Sequence, residues 1–478
     1  MFGKSILWVV ITALLFVLPL TVIQAENAKT DEEWTIDDAR IVLQYIVGKI
    51  TLSDDEILRL KQSDGDLLGI DDARIILQKM VGKWKPQEPV DTDPDPLVAP
   101  PFIPVYSSSK DFETAAADFA VELLKKSYKD GKNTLISPLS VLLALAMTAN
   151  GAEDETLAQM EQVLGGLTID ELNVTLRSYV NSLPSGEKAM LHIANSIWFR
   201  DDPGLTVKPA FLQTNTHYFN AEVRCEPFNA QTVEDINNWV KSNTDGMIDK
   251  LLDRLDPDVV LCLINAMAFD AEWRMQYVDK EVRSGDFHAA GGALQTVDFL
   301  HSEEYLYLTD ENATGFLKQY AGNRYAFAAL LPNEDLPLAE YVAGLTGADW
   351  QQMLGNACDE GRIIAAMPKF SFDFDRELND DLIEMGMPRA FNEYGAQFGK
   401  MAKSNTGNIF ISQVIHKTFI DVNQVGTRAG AVTVVYGKSS SVPPPPKYQI
   451  TLDRPFVFAI VDMQAGLPLF IGAVNDVA

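Results

Sequence analysis

The sequence predicts an α+β protein in which a large mixed-sheet domain follows a small all-α module of two repeats. Three observations carry that prediction. Hydrophobic residues fill 47% of the 478 positions and aromatics 9%, enough to build a sizeable core. Beyond about residue 105, helical and strand-like segments are grouped rather than alternating, as in segregated α+β architectures. Ahead of them, residues 35–49 (TIDDARIVLQYIVGK) recur as 69–83 (GIDDARIILQKMVGK), with eleven positions identical, a similarity that marks a duplicated unit.

Charge and composition narrow the function. Lysine and arginine total 39 against 67 acidic residues, a net charge of −28. A chain this acidic lacks the basic face that nucleic acids and anionic membranes require. Cys225, Cys262 and Cys358 are widely spaced and fit neither CxxC nor a zinc pattern; they are expected to be buried free thiols. No GxSxG, HExxH, Walker loop or GxGxxG is present, and the five histidines lack metal-ligand spacing. No enzyme signature remains.

Taken in order, residues 1–25 carry Lys4, an apolar run from Ile6 to Ile23, and Gln24-Ala25. That is the layout of a secretory signal cleaved after Ala25, with an uncleaved anchor as the alternative. The expected location is therefore extracellular. Residues 26–83 hold the two repeats. In each, Asp-Asp precedes apolar positions at helical spacing (Ile41, Leu43, Ile46, Val47; Ile75, Leu77, Met80, Val81), and Gly48 or Gly82 stops the pattern. Acidic starts and glycine stops suit helix dipoles and C-caps. Residues 84–104 are rich in proline and aspartate, a semi-rigid spacer. From 105 to 478 the chain runs as one block. Residues 109–128 and SPLSVLLALAMTAN from 137 to 150 read as helices, while 191–199, 259–269, 326–332 and 363–374 read as strands. So do two closing stretches, YQITLDRPFVFAIVD and LPLFIGAVN.

The repeat pair resembles a dockerin, the calcium-dependent duplicated module that docks into a cohesin on a scaffold or cell surface. The resemblance implies calcium at Asp64, Asp66 and Asp72, and a surface complex as partner. Leu67 stands where such a loop turns on glycine, and the first copy lacks alternating oxygen ligands. A plain two-helix pair held by its own apolar contacts remains open.

The block 105–478 resembles the serpin family over its whole length. The resemblance lies in NTLISPLSVLLALAMTANGAEDETLAQMEQVLG (133–165), NAMAFDAEWRMQY (265–277), MPKFSFDF (367–374), HKTFIDVNQVGTRAGAVT (416–433) and the closing DRPFVFAI…GLPLFIGAV. It implies a suicide inhibitor of serine proteases, consumed once. An exposed loop is cleaved as an acyl-enzyme, then inserts as a strand into the central sheet and distorts the tethered protease. By this resemblance the hinge is Gly426, Thr427, Ala429, Gly430, Ala431 and Thr433, and the reactive bond is Ser440–Ser441. Lys438 and Tyr436 are the alternative reactive residues. Ser137, Ser140, Asn265 and His416 would form the polar cluster that controls sheet opening, with Trp273 where insertion begins. Gln424 and Arg428 replace glutamates frequent in the family.

The residues support insertion on their own account. As a strand, one face of 427–435 is Thr427, Ala429, Ala431, Thr433 and Val435, small and uncharged. The other face carries the only charge, Arg428, so insertion is feasible in this register alone. Gly426 brings access to positive φ as a hinge. A serine ahead of the cut suits subtilisin-like or elastase-like proteases. The implied protein is a monomer that needs no cofactor. The alternatives are a non-inhibitory member of the family, or a passive component of a dockerin–cohesin assembly.

Overall fold

The computed structural model describes residues 41–42, 54–60, 110–405, 407–427 and 445–477, with the side chains of 54, 55, 58 and 358–360 left aside. The chain divides into two compact units, 1–98 and 99–478. In the first, the described residues are the helical Ile41–Val42 and helix α1 (Asp54–Leu60), with Val42 and Leu60 buried. Helix α1 falls between the repeats, where the periodicity of the repeat itself predicts nothing. The segment 1–25, Asp64, Asp66, Asp72 and the stretch 84–104 lie outside the described residues.

The second unit contains nine α-helices among its described residues. They are α2 (Lys110–Ser127), α3 (Pro138–Ala149), α4 (Asp154–Val163), α5 (Ile169–Ser182), α6 (Pro209–Phe219), α7 (Ala230–Asn243), α8 (Leu338–Gly344), α9 (Gly347–Gly355) and α10 (Asn379–Met385). Its first nine strands are β1 (Thr134–Ile136), β2 (Ala189–Arg200), β3 (Leu205–Val207), β4 (Glu222–Glu226), β5 (Leu261–Glu272), β6 (Val282–His288), β7 (Leu294–Thr309), β8 (Ala313–Gln319) and β9 (Tyr325–Pro332). The rest are β10 (Cys358–Pro368), β11 (Phe370–Glu377), β12 (Ala402–Ser404), β13 (Ile415–Val422), β14 (Gly426–Thr427), β15 (Tyr448–Thr451), β16 (Phe456–Asp462) and β17 (Leu467–Val474).

Two large sheets organise these strands. One runs β1-β17-β16-β9-β8-β7-β10-β15, with β6 on β7. The other, the central sheet, runs β11-β13-β14-β5-β2-β4. Between them lies α3, which packs on both β5 and β17. Its sequence explains the position. Pro138 supplies a pre-set first turn, and Ser137 caps it by accepting from the Ser140 N–H. Nearly every residue of PLSVLLALAMTA is buried, and a helix apolar all round belongs in the interior.

Two expectations are corrected here. Residues 363–374 are two strands in different sheets rather than one. The break comes at Pro368, which ends β10 and has no N–H to continue a ladder; the next N–H, of Lys369, donates to Asp298 O. The cysteines are not uniformly buried either. Cys225 is exposed on β4, because that strand is the sheet's edge, whereas burial pushes the Cys262 thiol up to about 12.

Candidate functional site

The central sheet is tightly paired on both flanks and hardly paired in between. β2 and β5 match from Ala189↔Ala271 to Phe199↔Leu261, and β11 and β13 match from Phe370↔Val422 to Glu377↔Ile415. Only β14 joins β13 to β5, through Val422↔Thr427 on one side and Gly426↔Glu272 and Thr427↔Ala271 on the other. Among the described residues no ladder links β13 directly to β5. Below Thr427 lies a cavity of about 530 Å3, flanked by β5 and β13 and floored by α3.

Polar groups gather at that floor. Ser137, Ser140, Asn265 and His416 all line the cavity, although they come from three distant parts of the chain. The strands place them by alternation: on β13, His416, Thr418, Ile420 and Val422 are buried while their neighbours are less so. His416 Nε2 accepts from the Ser137 N–H at 3.0 Å. Burial pushes the ring pKa down to about 4, so it is neutral and Nε2 is free to accept. Ser137 Oγ donates to Leu469 O at 2.9 Å and accepts from the Ser140 N–H. Asn265 stands apart from this chain of bonds. Its Nδ2 donates to Asn195 Oδ1 on β2 at 2.8 Å, and its buried Oδ1 has no hydrogen-bond partner. Thr418, which donates from Oγ1 to Leu135 O, belongs to the same face and was findable from the period of two.

The head of the seam is built differently. Asn423 to Gly426 form a tight turn in which Asn423 Oδ1 accepts from the N–H groups of Val425 and Gly426. Asn side chains favour such turns because they mimic a backbone acceptor. Gly426 is absent from the positive-φ glycines; the turn is made by Asn423, and Gly426 pairs as strand. Trp273 caps the turn, donating from Nε1 to Asn423 O at 2.8 Å. Its ring stacks on Tyr320 at 4.5 Å between centroids. The Tyr320 hydroxyl meets Thr427 Oγ1 at 2.5 Å, and Thr427 is 2% exposed. Sequence gives no sign of Tyr320, which lies 107 residues from Thr427.

Gly426 and Thr427 are therefore seated in the sheet. Ala429, Gly430, Ala431, Thr433, Tyr436, Lys438, Ser440 and Ser441 lie outside the described residues.

Comparison with known proteins bears on this geometry. The family profile described as Serpin (serine protease inhibitor) matches residues 114–477. An uncharacterised serpin-like protein of Thermococcus kodakarensis is 29% identical over 365 residues, spanning 75% of this chain and 84% of its own. Neuroserpin of Homo sapiens is 28% identical over 380 residues, 76% of this chain and 91% of that one. Among solved structures, the thermophilic serpin tengpin in its native state aligns with a TM-score of 0.74 at 46% identity, covering 77% of this chain and 95% of tengpin. With a profile match over most of its length, the chain belongs to the serpin family.

Proposed function

We propose that this protein is a secreted suicide inhibitor of serine proteases whose cleaved loop inserts between β5 and β13. One observation carries the proposal: Gly426 and Thr427 already occupy the head of a seam that no direct ladder closes among the described residues.

Extending the register of those two residues down the seam gives a specific fit. Ala429 falls between Phe269 and Ile420, and Ala431 between Met267 and Thr418. Thr433 falls between Asn265 and His416, where Asn265 Oδ1 lacks a partner. Val435 comes beside Leu263 and Val414. Small loop residues thus meet the larger side chains of both neighbours, the complementarity that close packing rewards. On the opposite face Arg428 falls between Asp270 and Asp421, so the one charge of the segment meets two of opposite sign. Each added backbone hydrogen bond contributes about 1 kcal/mol net, on both edges of the new strand. The uninserted state is then protected by its barrier rather than by its depth.

Cleavage at Ser440–Ser441 leaves a tether long enough to fill the seam, and serine there suits subtilisin-like or elastase-like enzymes. Cutting at Lys438 or Tyr436 instead shortens the inserted strand. The segment 26–83 is proposed to dock into a cohesin-bearing surface complex, with calcium at Asp64, Asp66 and Asp72. In isolation the inhibitor acts as a monomer.

The test is to mix the protein with subtilisin-like, elastase-like and trypsin-like proteases, run denaturing gels and weigh the released C-terminal peptide. A denaturant-stable complex and a peptide beginning at Ser441 are expected. Cleavage with no complex and no gain in heat stability would remove the inhibitory function.

A further inference from the structure

The hinge turn is held from below by two aromatic residues. The Tyr277 N–H donates to Gln424 O at 3.0 Å and the Trp273 N–H to Val425 O at 2.8 Å. Behind their rings lies Lys318 of β8, 2% exposed. Its Nζ sits 4.3 Å from the centroid of Tyr277 and 5.5 Å from that of Trp273, within reach of a cation–π contact to both. Glu304 of β7 is its counterion, 2.9 Å away with only 13% of its side chain exposed. Ser302 Oγ donates to the same carboxylate at 2.7 Å, and the Tyr277 hydroxyl lies 3.3 Å from that Oγ. Burial opposes the charge on Lys318, but Glu304 and Tyr277 outweigh it and hold its pKa above the ordinary lysine value.

A lysine this buried requires a carboxylate partner. That partner could come from the base of the loop or from the body of the protein. The base of the loop offers Gln424, which is neutral; the body offers Glu304. We propose that Lys318 and Glu304 are positioning residues for inhibition, setting Trp273 and Tyr277 side by side beneath the turn 423–426. Both charges stay in the body when the loop moves. Turn and support are joined by neutral hydrogen bonds only, so the turn rearranges without separating a buried ion pair. The inference rests on the inhibitory function proposed above and names what sets its hinge.

The experiment uses the full chain with Glu304→Gln, Lys318→Met and the double variant. Each is held at a fixed elevated temperature without protease while conversion to a heat-resistant form is followed by thermal scans and tryptophan fluorescence. Glu304→Gln strands a buried ammonium, so it should melt earlier and convert about tenfold faster. In the double variant the stranded charge is gone, and the melting temperature should return. Its conversion should stay several-fold fast, because no cation sets the two rings. Recovery of both properties in the double variant would make the pair merely structural and overturn the proposal. So would wild-type conversion in Glu304→Gln, including none in either protein. If Glu304→Gln fails to fold, Lys318→Met and the double variant give the same split. Because no protease is present, failure here is distinct from a missing covalent complex, which would instead remove the inhibitory function.

Discussion

The two sides of β5 make opposite commitments. Toward β2 its ladder runs unbroken from Leu261 to Ala271. Toward β13 it holds two residues of β14 and then a cavity of about 530 Å3. One strand therefore carries a closed seam on one side and an open one on the other, which the proposed insertion would make conditional. The difference does not come from strand propensity, since the same residues face both ways. It comes from what sits at the ends and floor of the conditional seam: a capped turn above, and neutral polar groups below. The bistability that the proposed insertion requires needs discrete packed arrangements rather than softness.

The hardest test of that contrast is to block the conditional seam at its head. Thr427 is buried against Tyr320, and an arginine there would bring a charge into the core at a cost of several kcal/mol. Thr427→Arg should convert the inhibitor into a substrate, with the molecules consumed per protease inactivated rising at least about tenfold. Titration of protease activity against inhibitor measures it. An unchanged stoichiometry would mean that the seam is not the route of insertion.

That test also shows what could be read from sequence. The small inward face of 427–435 follows from alternation alone, and Ser137, His416 and Trp273 follow from family resemblance. What alternation cannot supply is the partner across the sheet. Tyr320 sits in a turn that no local pattern distinguishes, and Lys318 reads as an ordinary surface lysine until the fold covers it. Gly426 misled in the other direction, since its capacity for positive φ goes unused while Asn423 shapes the turn. Edge position, which exposes Cys225, is likewise set by sheet order and not by the residues of β4.

Acid should act at the floor of the conditional seam. His416 is held neutral in the native protein with a pKa of about 4, against an ordinary value near 6.5. Between those values the unfolded chain binds more protons, so native stability falls as pH drops through this window. The loss should reach about 2 kcal/mol at pH 5. Protonation also ends the acceptance of the Ser137 N–H. Denaturant melts at pH 7.5 and 5 should show the difference, and His416→Gln should remove about that much of it. Equal pH dependence in the variant would assign the effect elsewhere.

Asn265 should separate the native from the proposed inserted state. In the native state its Nδ2 bonds Asn195, whereas its Oδ1 has no partner. Asn265→Ala should therefore cost the native protein only about 1 kcal/mol. In the cleaved form, where Thr433 would arrive beside it, the cost should be larger. Thermal scans of both forms give the comparison; an equal loss in each would argue against Thr433 at that place.

The smallest effect tests the outer face of the same register. If the loop inserts in the proposed register, Arg428 comes between Asp270 and Asp421; opposite charges placed directly across strands contribute about 0.2–1 kcal/mol, and like charges cost a similar amount. Arg428→Glu would put three carboxylates in a row on a half-buried face that salt still reaches and screens in part. Insertion should slow by about two- to fivefold at low ionic strength and recover most of its rate in 1 M salt, as read from complex formation by rapid mixing. A salt-independent defect would point to lost packing instead. No defect would mean that the loop enters in another register, and the pairing of Ala429, Ala431 and Thr433 would have to be redrawn with it. A rim charge worth less than 1 kcal/mol thus reports on the alignment of the whole inserted strand, because a strand shifted by one residue turns every side chain to the other face.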